Sequence, residues 1–208
     1  SILGSGENSC ILHYVSNRKT MRGKSLIVSD VGAEYHGYTA DVTRTLPVDG
    51  KFSNEEAIIY NIVLKAQKAG IEQCKVGNRF WDPNIAATTV ISQELKKLGI
   101  IQKPIDIRKY FMHGTSHYLG LDVHDKGTNG ELRAGSVITV EPGIYIAEGS
   151  LCDPKWWNIG VRIEDDILIT DTEPINLSVD APRSSNEIEK IMKLDSPINQ
   201  LILPDIND

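Results

Sequence analysis

Five side chains able to bind divalent cations punctuate the chain: Asp30, Asp41, His117, Glu141 and Glu164. Four carboxylates and one imidazole suit hard or borderline divalent ions. Two such ions can hold a hydroxide between them at neutral pH and drive hydrolysis. None of the five is informative alone. The aspartates sit in "SDVGAEYHGYTADVTRT", the histidine in "MHGTSHYLGLDVHD", and the glutamates in "TVEPGIYI" and "GVRIEDDILI". The four blocks, in that order, carry the signal.

Each residue also has a plainer reading. Paired aspartates near strand ends are ordinarily turn residues. Aspartate is depleted in strands, however, and both lie inside β-branched runs, where two facing carboxylates need a cation. His113, His117 and His124 place three of the chain's five histidines in one short stretch. They are interleaved with Gly114 and Gly120, which permit close backbone approach. One of the three would be a ligand, and the others free to bind substrate or carry protons.

Alternation puts Arg162 and Glu164 on one strand face. A salt bridge on an exposed strand is the ordinary meaning of that pair. The functional one has Glu164 bridging metals while Arg162 orients a ligand or a substrate carboxylate. Asp165 and Asp166 read as solvated or turn residues, and Trp156 and Trp157 equally as pocket wall or loop packing. "GSGENS" lacks the lysine and the helix of a phosphate loop. Neither a Gly-x-Ser-x-Gly elbow nor a His-Glu-x-x-His helix is present, which removes serine-hydrolase and zincin chemistry.

The elements that must position these groups follow from periodicity. Apolar, β-branched runs on either side of "HGY" predict an antiparallel strand pair carrying Asp30 and Asp41. A capping box, Ser53 with Glu56, opens a helix with Ile58, Ile59, Ile62, Val63 and Ala66 as its buried stripe. A second helix runs from Asp82 as N-cap, with Pro83 at its first position, to about Leu98, and Gly99 stops it. Strand character returns in "SVITVEPGIYIA" and "IGVRIEDDILIT". A short helix opens at Ser184, with Glu187 completing a capping box, and reaches about Met192. Acid-bearing strand pairs in both halves predict an α+β domain with a weak internal duplication and the site between the halves.

At 208 residues, with 40% hydrophobic and 24% charged, the chain is long enough for a full core. A net charge of −6 with scattered acids argues against nucleic acid or an anionic membrane as partner. No apolar run approaches the roughly 18–20 residues a membrane span needs. Cys10, Cys74 and Cys152 are odd in number and widely spaced, so structural thiols in a reducing, cytoplasmic compartment are expected. The opening "SILGSG" reads as the interior of a longer polypeptide.

Together the blocks resemble the pita-bread metallopeptidases, in the aminopeptidase P and prolidase branch. "DVGAEYHGYTADVTRTLPVDGKFS", "MHGTSHYLGLDVHD", "TVEPGIYI" and "IGVRIEDDILIT" carry the likeness, which runs from about Ser1 to Met192. It implies a pita-bread fold with pseudo-twofold duplication over a catalytic domain at 1–193, followed by a tail at 194–208. The opening helices and separate N-terminal domain usual in that family are missing from this sequence. It further implies two divalent ions, usually manganese, bridged by Asp41 and Glu164. Asp30 would complete one ion's shell, and His117 with Glu141 the other's. Glu141 would shuttle the proton of the attacking hydroxide, and His13 and His124 would hold substrate and stabilise the tetrahedral intermediate. His113 matches a further pocket histidine, Arg162 an arginine supporting the site, and Tyr145 a tyrosine in its hydrogen-bond network. The activity implied is release of the residue before a penultimate proline, by a homo-oligomer formed through the full-length protein. Alternatives are a prolidase restricted to dipeptides, a non-catalytic peptide-binding module and a metal-free creatine-hydrolysing relative.

Overall fold

The computed structural model describes residues 1–196, so most of the tail expected at 194–208 lies outside the described residues. In chain order the strands and helices are β1 (Ile2–Ser5), β2 (Leu26–Val31), β3 (Glu34–Tyr35), β4 (Tyr38–Thr39), β5 (Val42–Pro47), α1 (Asn54–Ile71) and α2 (Asp82–Lys97). They continue with β6 (Val137–Val140), β7 (Gly143–Ile146), β8 (Ile159–Arg162), β9 (Asp165–Leu168), β10 (Ile175–Asn176) and α3 (Ser185–Ile191). The expected α+β class holds. Among the described residues no helix is long and apolar enough to cross a membrane.

The first sheet orders its strands β1-β2-β5, all antiparallel, with Asp30 opposite Thr43. The predicted strand pair is therefore real, but "YTADVTRTLPV" is not one strand. Tyr38 and Thr39 belong to the small β3–β4 hairpin, and Asp41 stands between that hairpin and β5. The two acidic runs of the second half are likewise broken, each at its glutamate. β6 and β7 are separated by Glu141 and Pro142, and β8 and β9 by Ile163 and Glu164. Proline has no N–H for a ladder, so the pairing must change partners there. β6 pairs with β9, which pairs with β10, whereas β7 pairs with β8. The Glu164 N–H donates to the Thr43 carbonyl at 3.1 Å and joins the second half to β5.

Helix α1 starts as expected: Ser53 Oγ accepts the Glu56 N–H and Glu56 Oε2 accepts the Ser53 N–H. It packs on α2 and on the strands β6, β7 and β8. Ile59, Val63 and Ala66 are fully buried, as are Tyr60 and Gln67. Ile58, expected in the stripe, is 40% exposed, because the buried face is turned towards Tyr60, Leu64 and Gln67. α2 begins one residue earlier than expected. Trp81 is its N-cap, and Asp82 instead accepts the Arg79 N–H and guanidinium. Gly99, at φ +72°, ends it in the left-handed conformation that suits glycine. Ser184 accepts the Glu187 N–H at the start of α3.

The main core fills the space between α1, α2 and the β7–β8 pair, with Ile91, Leu95, Ile144, Ile146 and Val161 fully buried. Trp156, 5% exposed, belongs to this core, and Trp157 packs beside it with its indole N–H on the Ser150 carbonyl. Loop packing is thus their role. A smaller core of Cys74, Phe80, Leu132, Ile138 and Ile167 lies under β6 and β9.

Candidate metal centre

The acids emerge where strands end or break, so their side chains leave the ladder and converge. Asp30 lies near the end of β2, Asp41 precedes β5, and Glu141 and Glu164 occupy the two breaks of the second half. His117 comes from the loop before β6, which runs along that strand. Thr139 and Glu141 N–H groups donate to the His117 and Thr115 carbonyls, at 2.9 and 2.8 Å. The resulting cleft of about 280 Å³ is lined by all five expected ligands and by His13, His113, His124 and Arg162. His13 and His124 are exposed at its mouth, and the His124 ring lies 4.3 Å from that of His117.

The donor set fits a divalent cation. His117 Nδ1 faces the Tyr118 carbonyl at 3.0 Å and must donate there. Nε2 is left 3.5 Å from Asp41, 3.7 Å from Glu141 and 3.8 Å from Glu164. These separations are too long for hydrogen bonds. Ligand atoms about 2.1 Å from a common ion at tetrahedral angles are about 3.4 Å apart. Asp41, His117 and Glu164 form the tightest group, with ligand atoms within 4.8 Å of one another. Asp30 differs from the other expected ligands, since its Oδ2 already accepts Arg162 at 2.6 Å.

The electrostatics agree with that crowding. Burial, reinforced by Glu141 and Asp41, raises Glu164 well above the carboxylate range. Burial pushes Glu141 up to about 7 against the pull of His117 and Arg162. Burial also raises Asp30, with Asp41 adding to the effect against Arg162. Burial opposes ionisation of Asp41 too, but the neighbouring His117, Asp30 and Arg162 groups together hold it low. Such a split is the behaviour of a carboxylate pair sharing a proton. Each acid opposes ionisation of the next, and a bound cation removes the conflict.

Behind the ligands lies a bracing network that the sequence pattern only partly foretold. Thr43, fully buried, donates to Glu164 Oε2 at 2.7 Å and accepts Arg162 Nε at 3.2 Å. Arg162 also donates to the Tyr145 hydroxyl at 3.2 Å. His113 Nδ1 lies 2.7 Å from the Gly114 carbonyl and must donate to it, so Nε2 accepts the Tyr145 hydroxyl at 2.8 Å. Burial lowers the His113 pKa to about 4, which keeps this tautomer neutral. Thr43 went unread in the sequence, although its alternation with Asp41 in "ADVTRT" was the available signal.

Asp165 and Asp166 overturn their expected place in solvent or a turn. Both lie in β9, and Asp165 is fully buried. Its carboxylate accepts Arg44 at 2.7 Å, Gln67 at 2.9 Å, Arg183 at 2.9 Å and Asn176 at 3.0 Å. Paired charge makes that burial tolerable. Asp166 Oδ2 accepts the Asp41 N–H at 3.2 Å and holds that ligand's backbone. Burial pushes its pKa up to about 6.

Comparison with known proteins agrees with this geometry. The model of metallopeptidase family M24 matches residues 1–171. Xaa-Pro aminopeptidase of Escherichia coli (strain K12) is 42% identical over 204 residues, covering 92% of this chain and 46% of that protein. Intermediate cleaving peptidase 55, mitochondrial, of Arabidopsis thaliana is 37% identical over 194 residues, covering 92% and 39%. Among solved structures, zinc-substituted E. coli aminopeptidase P in complex with product matches with a TM-score of 0.88 at 42% identity, over 92% of this chain and 46% of that one. The chain spans about half the length of the curated relatives it matches. Its architecture is the pita-bread fold of these relatives. With a cleft of candidate cation ligands assembled on that fold and a match over most of its length, the chain belongs to metallopeptidase family M24.

Proposed function

We propose that the chain is the catalytic part of an Xaa-Pro aminopeptidase, a metal-dependent hydrolase that removes the N-terminal residue from peptides whose second residue is proline. The observation that carries this reading is the convergence of Asp41, His117, Glu141 and Glu164 on one histidine-walled cleft. Relatives named Xaa-Pro aminopeptidase, and E. coli aminopeptidase P solved with the inhibitor Pro-Leu, support the substrate class.

In this reading Asp30, Asp41, His117, Glu141 and Glu164 hold two divalent ions, manganese in the first place. When bound, such ions polarise a carbonyl and bring the pKa of a water near neutrality. The remaining work falls to the protein's own groups. Glu141 faces the cleft 3.9 Å from His113, where it can take a proton from water and return it to the departing proline nitrogen. His13 and His124, at the mouth, hold the peptide and donate to the carbonyl oxygen as it gains charge. An imide bond lacks an N–H, so recognition rests on the ring, and the flat face of His113 offers it an apolar wall. Arg162, through Thr43 and Tyr145, keeps Glu164 and His113 oriented. A cytoplasmic setting, a peptide rather than nucleic acid or membrane as partner, and a homo-oligomer formed through the full-length protein complete the reading. Three unpaired thiols and the net charge of −6 support the first two.

The test is metal content together with hydrolysis of an Xaa-Pro-Xaa tripeptide and an Xaa-Pro dipeptide, with and without manganese. Manganese-stimulated tripeptide cleavage that Asp41→Asn abolishes is the expected result. Cleavage confined to the dipeptide replaces the aminopeptidase with a prolidase. A full-length protein that binds no metal and cleaves neither peptide refutes catalysis.

A further inference from the structure

We propose that Glu34 selects substrates whose first residue is lysine or arginine. The inference rests on the aminopeptidase reading and adds the chemistry of the residue released. A second groove of about 330 Å³ opens beside the metal cleft, and His13, Asp30, Asp41 and His124 line both. A peptide lying across these shared residues therefore has one arm in each space. Besides two histidines, the titratable side chains of the second groove are the acids Asp30, Glu34 and Asp41, so the arm ending in a carboxylate is disfavoured there and lies in the first cleft. The second groove has no lysine or arginine in its walls. It is the better host for the arm that carries the positive α-amino group.

The side chain of the first residue travels in the same arm. Asp30 and Asp41 stand where the two spaces meet, beside the amino group. Glu34 lines only the second groove, together with Val31 and Val123. Those valines, each 42% exposed, offer apolar surface to the methylene stem of a lysine or arginine, and Glu34 offers a carboxylate to its head. Among the described residues the Glu34 carboxylate has no hydrogen-bond or ion-pair partner competing for it.

Glu34 is also held in place. It opens β3 and pairs with Thr39, whose N–H and hydroxyl both donate to the Gly120 carbonyl, at 2.9 and 3.0 Å. The Ala40 N–H donates to the Ala33 carbonyl at 2.9 Å. A Cβ on Gly32 would stand 1.7 Å from the Ala40 carbonyl oxygen, so the base of the hairpin closes as tightly as backbone allows. A carboxylate on such a frame discriminates better than one on a free loop. Glu34 is exposed, which limits the gain to that of a solvent-screened pair.

The experiment compares kcat/KM for Arg-Pro-Leu, Leu-Pro-Leu and Glu-Pro-Leu on the manganese-loaded full chain at low and high salt. Arg-Pro-Leu is expected about twofold to fivefold above Leu-Pro-Leu, with Glu-Pro-Leu below both and the spread narrowing in salt. Glu34→Gln removes the ratio and Glu34→Lys inverts it. A ratio that survives both substitutions, or no basic preference in the unsubstituted chain, overturns the role of Glu34 and leaves Xaa-Pro cleavage standing. Failure to cleave any of the three refutes the aminopeptidase reading instead. Calorimetric binding of the same peptides to the metal-free chain then decides Glu34 by the same ratio.

Discussion

Replacing Thr43 by valine isolates the bracing of the metal centre. Valine is nearly isosteric with threonine, so the fully buried position loses a hydroxyl and gains no cavity. Two interactions go: the 2.7 Å donation to Glu164 Oε2 and the 3.2 Å acceptance from Arg162 Nε. Hydrogen bonds to charged groups are worth about 1.5–3 kcal/mol, and loss of a group supporting a metal ligand typically costs about 10–100-fold in metal affinity. Glu164 must be ionised to bind a cation, and without one its burial and acidic neighbours oppose that ionisation, so the damage concentrates in the metal-bound state. At saturating manganese, stabilisation by the ion falls by about 1.4–2.7 kcal/mol. In a chain of this size that lowers Tm by about 3–11 °C. The assay is manganese titration by calorimetry, with thermal unfolding in chelator and in excess manganese. Equal Tm losses in both conditions, or a Kd within threefold of the unsubstituted chain, would refute the bracing role.

Three further outcomes are expected. Gly143→Ala places a Cβ 2.4 Å from the Tyr145 hydroxyl oxygen; that ring is buried, so the hydroxyl must move off His113 and Arg162, and kcat should fall at least tenfold while the fold survives. Near-normal turnover in Gly143→Ala would remove Tyr145 from the mechanism. Asp165→Ala strands Arg44 and Arg183 beside β9 and should cost about 3–5 kcal/mol in urea unfolding, with Asp165→Asn milder; a loss under 1 kcal/mol would contradict the network drawn around it. In chelator, stability should fall between pH 5 and pH 8. Glu141, raised from 4.5 to about 7 by burial, contributes stability that is complete below its unfolded pKa and lost as pH rises through the folded one. Asp166 and His117, also raised, act in the same sense. The fall is up to about 3 kcal/mol for Glu141, and excess manganese should abolish it; stability that climbs over this range in chelator would show that the acids are not crowded as described.

Much of the centre was legible before any coordinate. The five ligand types, the strand character around them and the Ser53–Glu56 cap depend on local pattern, and local pattern survives folding. Boundaries moved by a residue or split where a chain changed partners, as at Asp82 and at the Glu141–Pro142 break. Solvent exposure was less legible. Ile58 sits at helical spacing with its neighbours, yet which arc of α1 is covered depends on α2 and the strands that dock there.

Charge burial was the clearest failure of local reasoning. The pair Asp165-Asp166 looks like a wet turn because isolated carboxylates belong in water. Its partner Arg44 lies 121 residues away from Asp165 in the chain, and Thr43 equally far from Glu164. The residues that can bind a cation are written in the sequence, since ligand chemistry belongs to each side chain. Which carboxylate faces the cleft, which is neutralised by arginine, and which groove Glu34 lines were decided only when distant strands met. A charge is buried at tolerable cost only where folding has already delivered its counter-charge.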